Sequence, residues 1–232
     1  MRGSRSVSRW TRPMLVAAAV VAGTQSFAAE VGQRFRSVSD FVKSTPHGSA
    51  DVDKGYGALT GLGRRDWAGV LFVEDPDAGS TRQLVVLSQQ PDGGYEVAAR
   101  GPVESSDGGT GHFNIDEVRI KQGSLFVSWS SSWHGCAGGS TQQVKLYKNQ
   151  WRVVGAEFSQ STSTETPDGY GEGDSATMSH NLLTGAVVIH FTPLHRKPVT
   201  KTFVRQPTIE LLDDKFDSDS GGVEDFANYA GC

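Results

Sequence analysis

The most constraining feature of this sequence is a series of short apolar runs that begins near Trp67 and is interrupted by polar turns. The runs recur about every 10 to 15 residues, as strands of an antiparallel meander do. The turns include residues 90–94 (QPDGG) and 121–124 (KQGS). Alternating apolar and polar residues place successive side chains on opposite faces of a strand, and short turns join such strands into hairpins. We therefore predict a mainly β chain built as an antiparallel meander.

The alternation also predicts which tryptophans are buried. Leu125, Val127 and Trp129 share one strand face, and Trp151 shares a face with Val153. We expect both tryptophans to point into the core because their neighbours on the same face are apolar. Strands at this spacing fit a propeller-like arrangement and also a β-sandwich, and hairpin signals do not distinguish the two.

A different periodicity precedes the strands. Apolar residues in segment 31–43 recur at helical spacing, and the segment STPHG at residues 44–48 follows them. This pattern predicts one short N-terminal helix over residues 31–43. Residues 55–63 (GYGALTGLG) then form a glycine-rich connector, which lacks the Lys-Ser/Thr ending of a phosphate-binding loop.

The first 28 residues have the organisation of a secretory signal. An apolar stretch at residues 14–23 follows four arginines, and small residues flank Phe27 before a predicted cleavage after Ala28. The apolar stretch is too short to cross a bilayer. We therefore expect a periplasmic or secreted protein that has no integral membrane span once the signal is removed.

Export also changes the charge of the chain. The sequence has 22 basic and 26 acidic residues and a net charge of −4. The first 28 residues carry four arginines and no acid, so the remaining chain has a net charge of −8. Nucleic acids and anionic lipids require clustered Lys and Arg, so neither is an expected partner.

The two cysteines, Cys136 and Cys232, both lie in the exported part of the chain. Two thiols in an oxidising compartment most often pair, so we expect a disulfide between them. The alternative is a cysteine nucleophile at Cys136 with His134 as its base. Neighbours two residues apart in a loop need not meet in space, which favours the disulfide.

Two long polar segments interrupt the meander, at residues 101–111 and 159–174. We interpret both as loops, and the second contains a single aromatic residue, Tyr170. Aromatic residues on exposed loops are common binding residues. Trp133 and Tyr170, together with His134, are therefore the candidate binding residues.

Acidic residues dominate segment 207–232, which we interpret as a solvated tail. Within it, Asp217 and Asp219 precede two glycines as in the start of an EF-hand loop, but Asn228 stands where the bidentate Glu should be. A second acidic cluster contains Glu74, Asp75 and Asp77. We expect no cofactor, with calcium at one of these clusters as the alternative. No Cys/His spacing typical of zinc is present.

Several of the hairpin segments together resemble a known group of proteins. They are residues 84–97 (LVVLSQQPDGGYEV), 120–129 (IKQGSLFVSW), 151–155 (WRVVG) and 181–185 (NLLTG), with Gly138-Gly139-Ser140 and Tyr147 between them. This series resembles bacterial periplasmic proteins and lipoproteins with propeller-like β-meanders. Some of those proteins are immunity proteins that inhibit lysozyme-like toxins of rival bacteria. The resemblance thus implies a propeller-like fold and an inhibitor.

The chain is accordingly divided into a signal peptide (1–28), a helix with a glycine-rich connector (29–66), an antiparallel β domain (67–206) and an acidic tail (207–232). No Gly-x-Ser-x-Gly motif is present, and we expect a binding protein rather than an enzyme. Its expected partner is a protein or a glycan, and the inhibitor role against a cell-wall hydrolase follows from the resemblance. The alternatives are a cysteine-dependent hydrolase or redox enzyme using Cys136 and His134, and a calcium-stabilised structural module of the envelope.

Overall fold

The structure is a computed structural model that describes residues 29–52, 54–75, 79–105, 114–133, 135–166, 169–212, 221–222 and 226. The predicted signal peptide lies outside these residues. The described part contains one helix, α1 (Val38–Ser44). Its strands are β1 (Arg34–Phe35), β2 (Gly48–Ser49), β3 (Tyr56–Gly57), β4 (Asp66–Asp75), β5 (Gly79–Gln89), β6 (Tyr95–Ser105), β7 (Asn114–Lys121), β8 (Ser124–Trp133), β9 (Cys136–Tyr147), β10 (Gln150–Thr166), β11 (Gly169–Asn181), β12 (Ala186–Thr192), β13 (Val199–Val204) and β14 (Glu210–Leu211).

The strands form two antiparallel sheets. The N-terminal sheet has six strands, in the order β1-β6-β5-β4-β2 with β3 beside β4. The C-terminal sheet has eight, in the order β13-β12-β11-β10-β9-β8-β7 with β14 beside β10. The prediction of a mainly β, antiparallel meander with a single helix is confirmed. The propeller-like arrangement is not confirmed, since propeller blades are usually separate four-stranded sheets.

The main core lies between the two sheets. It joins Leu84 and Val86 of the N-terminal sheet to Leu125, Val127 and Trp129 of the C-terminal sheet, among others. Trp129 and Trp151 are both buried, as predicted. A core shared by two sheets agrees with the β-sandwich, the alternative to the propeller-like arrangement.

The helix is shorter than predicted and begins later. Ser37 caps it, with its Oγ accepting a hydrogen bond from the backbone N–H of Asp40 at 3.0 Å. The prediction of a helix from residue 31 is therefore wrong, because Ser37 at the cap position fixes the start. Residues 34–35 instead form β1, which pairs with the start of β6. The helix buries Val38 and Phe41 on the N-terminal sheet.

The predicted loop over residues 159–174 is also wrong. These residues belong to β10 and β11, which pair down to Thr166 opposite Gly169. Residues 167–168 lie outside the described residues. Serine, threonine and glycine are frequent in turns, but here the polar side chains extend a sheet whose solvent face needs no apolar residue. Segment 101–111 is likewise partly strand, because β6 continues to Ser105 opposite Thr81.

Several described residues of the C-terminal segment pack on the sheet, whereas Pro207 and Thr208 are exposed. Strand β14 pairs with β10, and Leu212 is buried in the main core. The carbonyl oxygen of Gly221 lies 2.8 Å from Nδ1 of buried His180. The ring of Phe226 is buried 6.1 Å from that of Phe158. The interpretation of a wholly solvated tail is therefore wrong for these residues, because their apolar side chains complete a core. The acidic residues of this segment from residue 213 onward lie outside the described residues.

Candidate functional site

The two faces of the C-terminal sheet differ sharply in burial. The inner face carries Trp129, Met178 and Ile189, each about 2% exposed or less. The outer face is open, since outer-face positions such as Ser130, Ser159 and Thr177 are exposed or half-buried. Successive residues point to opposite faces of a strand, so the alternation of the sequence produces this division.

Serine and threonine dominate the open face. Cross-strand pairs such as Ser128 with Thr141, Ser159 with Thr177, and Ser161 with Ser175 place hydroxyl side chains next to each other. We call the following set the hydroxyl face: Ser128, Ser130, Ser132, Thr141, Ser159, Ser161, Ser175, Thr177, Ser179, Thr192, Thr200 and Thr202. Neighbouring strands lie about 4.8 Å apart and alternate residues of one strand about 6.8 Å apart, so the hydroxyl groups form a grid.

Some of these hydroxyl groups are oriented by their neighbours. The Oγ of Ser128 and the Oγ1 of Thr141 lie 2.9 Å apart, and the Nδ1 of His190 lies 2.9 Å from the Oγ1 of Thr200. Ser159 donates from Oγ to the carbonyl oxygen of Gly139 at 3.4 Å. A hydroxyl group donates one hydrogen bond and accepts two, so groups in such pairs still have capacity for a ligand.

Few charged side chains lie within the grid of hydroxyl groups, and others lie at its border. Glu157 and His190 are the ionisable residues among the described positions inside the grid. At the β7 border, Arg119 lies over the ring of Phe126 at 5.8 Å and 3.6 Å from Glu117. The centre of the face is therefore polar but close to neutral.

Three shallow depressions follow one another along the outer face. The central one, of about 460 Å³, is lined by Ser159, Thr177 and His190 among others. The second, of about 360 Å³, extends to Arg119 and shares Thr141 with the first. The third, of about 340 Å³, lies at the hairpin tips and includes Cys136. Together they mark a track along β9 and β10.

The residues that the sequence singled out lie at one end of this track. Trp133 pairs with Cys136, and Cys136 pairs with Thr162 on the next strand. Tyr170 stands further along the β10–β11 hairpin, opposite Glu165. The structure therefore brings the backbones of Trp133, Cys136 and Tyr170 to the same end of the sheet. His134 and Cys232 lie outside the described residues, and so do the side chains of Trp133 and Tyr170.

The described residues contain no free cysteine, so Cys136 is not a free thiol in this structure. The predicted partner, Cys232, lies outside the described residues, and the pairing stays a prediction. The arrangement of Cys136 and His134 as a catalytic pair is likewise not described.

Metal binding has no support in the part of the chain that the structure describes. No group of three or more His, Cys, Asp or Glu side chains there is placed to hold a metal ion. Of the two predicted acidic clusters, Asp217, Asp219 and Asp77 lie outside the described residues, and Glu74 is exposed.

One buried cation lies away from the hydroxyl face. Arg100 of β6 is half-buried, and its Nε and Nη2 atoms are buried without a hydrogen-bond partner among the described residues. Burial lowers the pKa of this guanidinium, and Glu30 partly opposes that effect. The group lies on the N-terminal sheet, opposite Val85, and does not contribute to the track.

The sequence did contain a signal for the hydroxyl face. Serine or threonine recurs with period two at Ser128, Ser130 and Ser132, and again along β10 and β11. Period two is the strand repeat, and it applies to polar residues as well as to apolar ones. Along β10 and β11 this signal is masked, because serine, threonine and glycine are also common in turns and favour a loop there.

Comparison of the chain with protein-family models, with curated proteins and with solved structures found no match. Within the described residues, no helix has the length and apolar character needed to cross a membrane.

Proposed function

We propose that this chain is an exported binding protein without catalytic activity, and that the hydroxyl face is its binding surface. The observation that carries the proposal is the contrast between the two faces of the C-terminal sheet. The inner face is packed, whereas the outer face presents a broad hydroxyl grid that no described residue covers. A sheet face supported by a packed core holds its side chains in fixed positions, as a binding surface requires.

Export and a disulfide are part of the proposal. The arginines, apolar stretch and small residues of the first 28 positions support a cleaved signal and a periplasmic or secreted protein. Cys136 is not a free thiol, and Cys232 is the other cysteine of the sequence. Such a disulfide would tie the C-terminus to the end of the track.

We further propose that the protein protects a cell wall against a lysozyme-type hydrolase, as its resemblance to immunity proteins suggests. The experiment follows the digestion of purified peptidoglycan by such a hydrolase, with and without an excess of residues 29–232. We expect digestion to slow several-fold with the protein present. Thr177→Lys on the hydroxyl face should abolish the effect, and Thr208→Lys, at an exposed position outside it, should retain it. Unchanged digestion across several such hydrolases would contradict the protective role.

The second candidate function is a cysteine-dependent enzyme. Its support is the position of Cys136 in a depression of about 340 Å³ with Gly135 and Ser161, whereas the absence of a free thiol at Cys136 opposes it. Thiol titration of the native protein separates it from the binding protein. We expect no titratable thiol in the native protein and two after denaturation and reduction. A native thiol that titrates at Cys136 would favour the enzyme instead.

A further inference from the structure

We propose that the ligand of the hydroxyl face is an uncharged polysaccharide strand, and that protection comes from covering the glycan rather than from binding the hydrolase. This inference rests on the proposed function and names the partner of the same surface. It follows from the many hydroxyl side chains of the hydroxyl face and from the scarcity of apolar and charged side chains there.

The composition of the face does not fit a protein partner. Protein interfaces gain most of their affinity from aromatic residues and arginine, whereas serine and threonine are under-represented among the residues that matter. Inside the grid, Val188 and Ala137 are the apolar side chains at described positions. Too little apolar surface is present there to form the dry centre of a protein interface.

The charge of the face does not fit a charged ligand. Phosphate and sulfate groups are bound by clustered Arg and Lys, and the cations Arg119 and Lys121 stand only at the β7 border. In the central depression, the carboxylate of Glu157 would repel an anion. An extended cationic ligand would meet a single carboxylate there. The ligand that matches this surface is polar and neutral.

A polysaccharide strand has this chemistry along its whole length. Its hydroxyl groups donate and accept hydrogen bonds, as serine and threonine do. The depressions run along β9 from Gln143 to Ala137, a distance of about 20 Å at the rise of a β-strand. The track is therefore long enough for several sugar units. Glu157 would accept strong hydrogen bonds from sugar hydroxyl groups.

The same chemistry predicts how affinity depends on ligand length. Each exposed hydrogen bond replaces one made to water and contributes little by itself. Many such contacts are needed, and a polymer that occupies the whole track should bind far more tightly than a disaccharide.

The test measures binding of residues 29–232 to N-acetylglucosamine oligomers of two and six units by calorimetry, and to insoluble chitin and cellulose by sedimentation. We expect the hexamer to bind at least tenfold more tightly than the dimer, and one of the two polymers to retain the protein. The triple variant Ser159→Ala, Thr177→Val and Ser179→Ala should weaken binding at least about tenfold, since three hydroxyl groups are lost. Thr208→Val, an exposed threonine outside the face, is the matched control.

The outcomes separate this inference from the proposed function. Polysaccharide binding without slower peptidoglycan digestion supports the polysaccharide ligand but overturns the protective role, and with it the protection by covering the glycan. Slower digestion of both peptidoglycan and a small chromogenic substrate, without polysaccharide binding, overturns the inference in favour of a protein partner. Failure of both measurements overturns both proposals. A folded triple variant that binds polysaccharide as the unmodified protein does would overturn the assignment to this face.

Discussion

Replacing Asp66 with alanine is expected to lower the free energy of unfolding by about 3–5 kcal/mol, because three backbone N–H groups, one buried and two partly buried, lose their acceptor. The Asp66 side chain is fully buried. Its carboxylate accepts from the backbone N–H groups of Leu59 at 2.8 Å, Thr60 at 2.7 Å and Gln89 at 2.9 Å. It thereby joins the glycine-rich connector to the end of β5, and both elements should loosen together in the variant.

Urea denaturation of the unmodified protein, of Asp66→Ala and of two asparagine variants measures this effect. Asp66→Asn keeps one acceptor oxygen but turns an amide nitrogen toward a donor, so its loss of stability should be intermediate. Asp92→Asn is the control, because Asp92 is exposed and accepts from the backbone N–H of Gly94 at 3.0 Å. Equal denaturation midpoints for the Asp66 and Asp92 variants would show that the carboxylate does not organise the connector.

Trp129→Ala is expected to lower the free energy of unfolding by a similar amount, about 3–5 kcal/mol, because it leaves a large cavity in the core between the two sheets. The Trp129 side chain is 2% exposed and belongs to the cluster that includes Leu84 and Val144. Thermal or urea unfolding of the purified variant measures the loss.

Ser130→Ala is the matched control for this variant, since Ser130 is the next residue of β8 and is exposed on the outer face. It should change the stability by less than about 0.5 kcal/mol. A large loss in the Ser130 variant, or a small one in the Trp129 variant, would contradict the assignment of the two faces.

The apolar alternation of the sequence was sufficient to predict the hairpins and the buried side chains. Leu125, Val127 and Trp129 lie on one buried face because period two is a local property of a strand. The pairing of strands far apart in the sequence was not predictable in this way. Strand β1 pairs with β6, and Arg34 contacts Glu96, 62 positions away. Such pairings depend on the tertiary context of the whole sheet.

Sequence reasoning singled out residues near one end of the sheet. The backbones of Trp133 and Tyr170, two of the binding candidates, lie near the hairpin tips together with that of Cys136. A binding role for Trp133 and Tyr170 stays a prediction. The hydroxyl face was missed because its residue types are also those of turns. Only the long β10–β11 pairing, with Ser159 opposite Thr177, distinguishes a polar strand from a polar loop.

The core residues and the residues of the proposed binding surface therefore alternate along the same strands. On β8, Trp129 packs in the core while Ser128 and Ser130 face solvent. Substitutions on the hydroxyl face can remove binding without unfolding the chain, because valine and alanine fit an exposed strand position and leave no cavity. The binding proposal can thus be tested in folded variants.

The most direct test of the binding surface is an NMR titration of the threonine methyl groups of residues 29–232 with the N-acetylglucosamine hexamer. Threonines on the hydroxyl face report on the proposed surface: Thr141, Thr177, Thr192, Thr200 and Thr202. Threonines elsewhere in the described chain serve as internal controls: Thr45, Thr60, Thr81 and Thr208. We expect the resonances of the first set to shift with a common dissociation constant and those of the second set to stay unchanged. Shifts confined to the second set, or none at saturating hexamer, would contradict the assignment of the hydroxyl face as the binding surface.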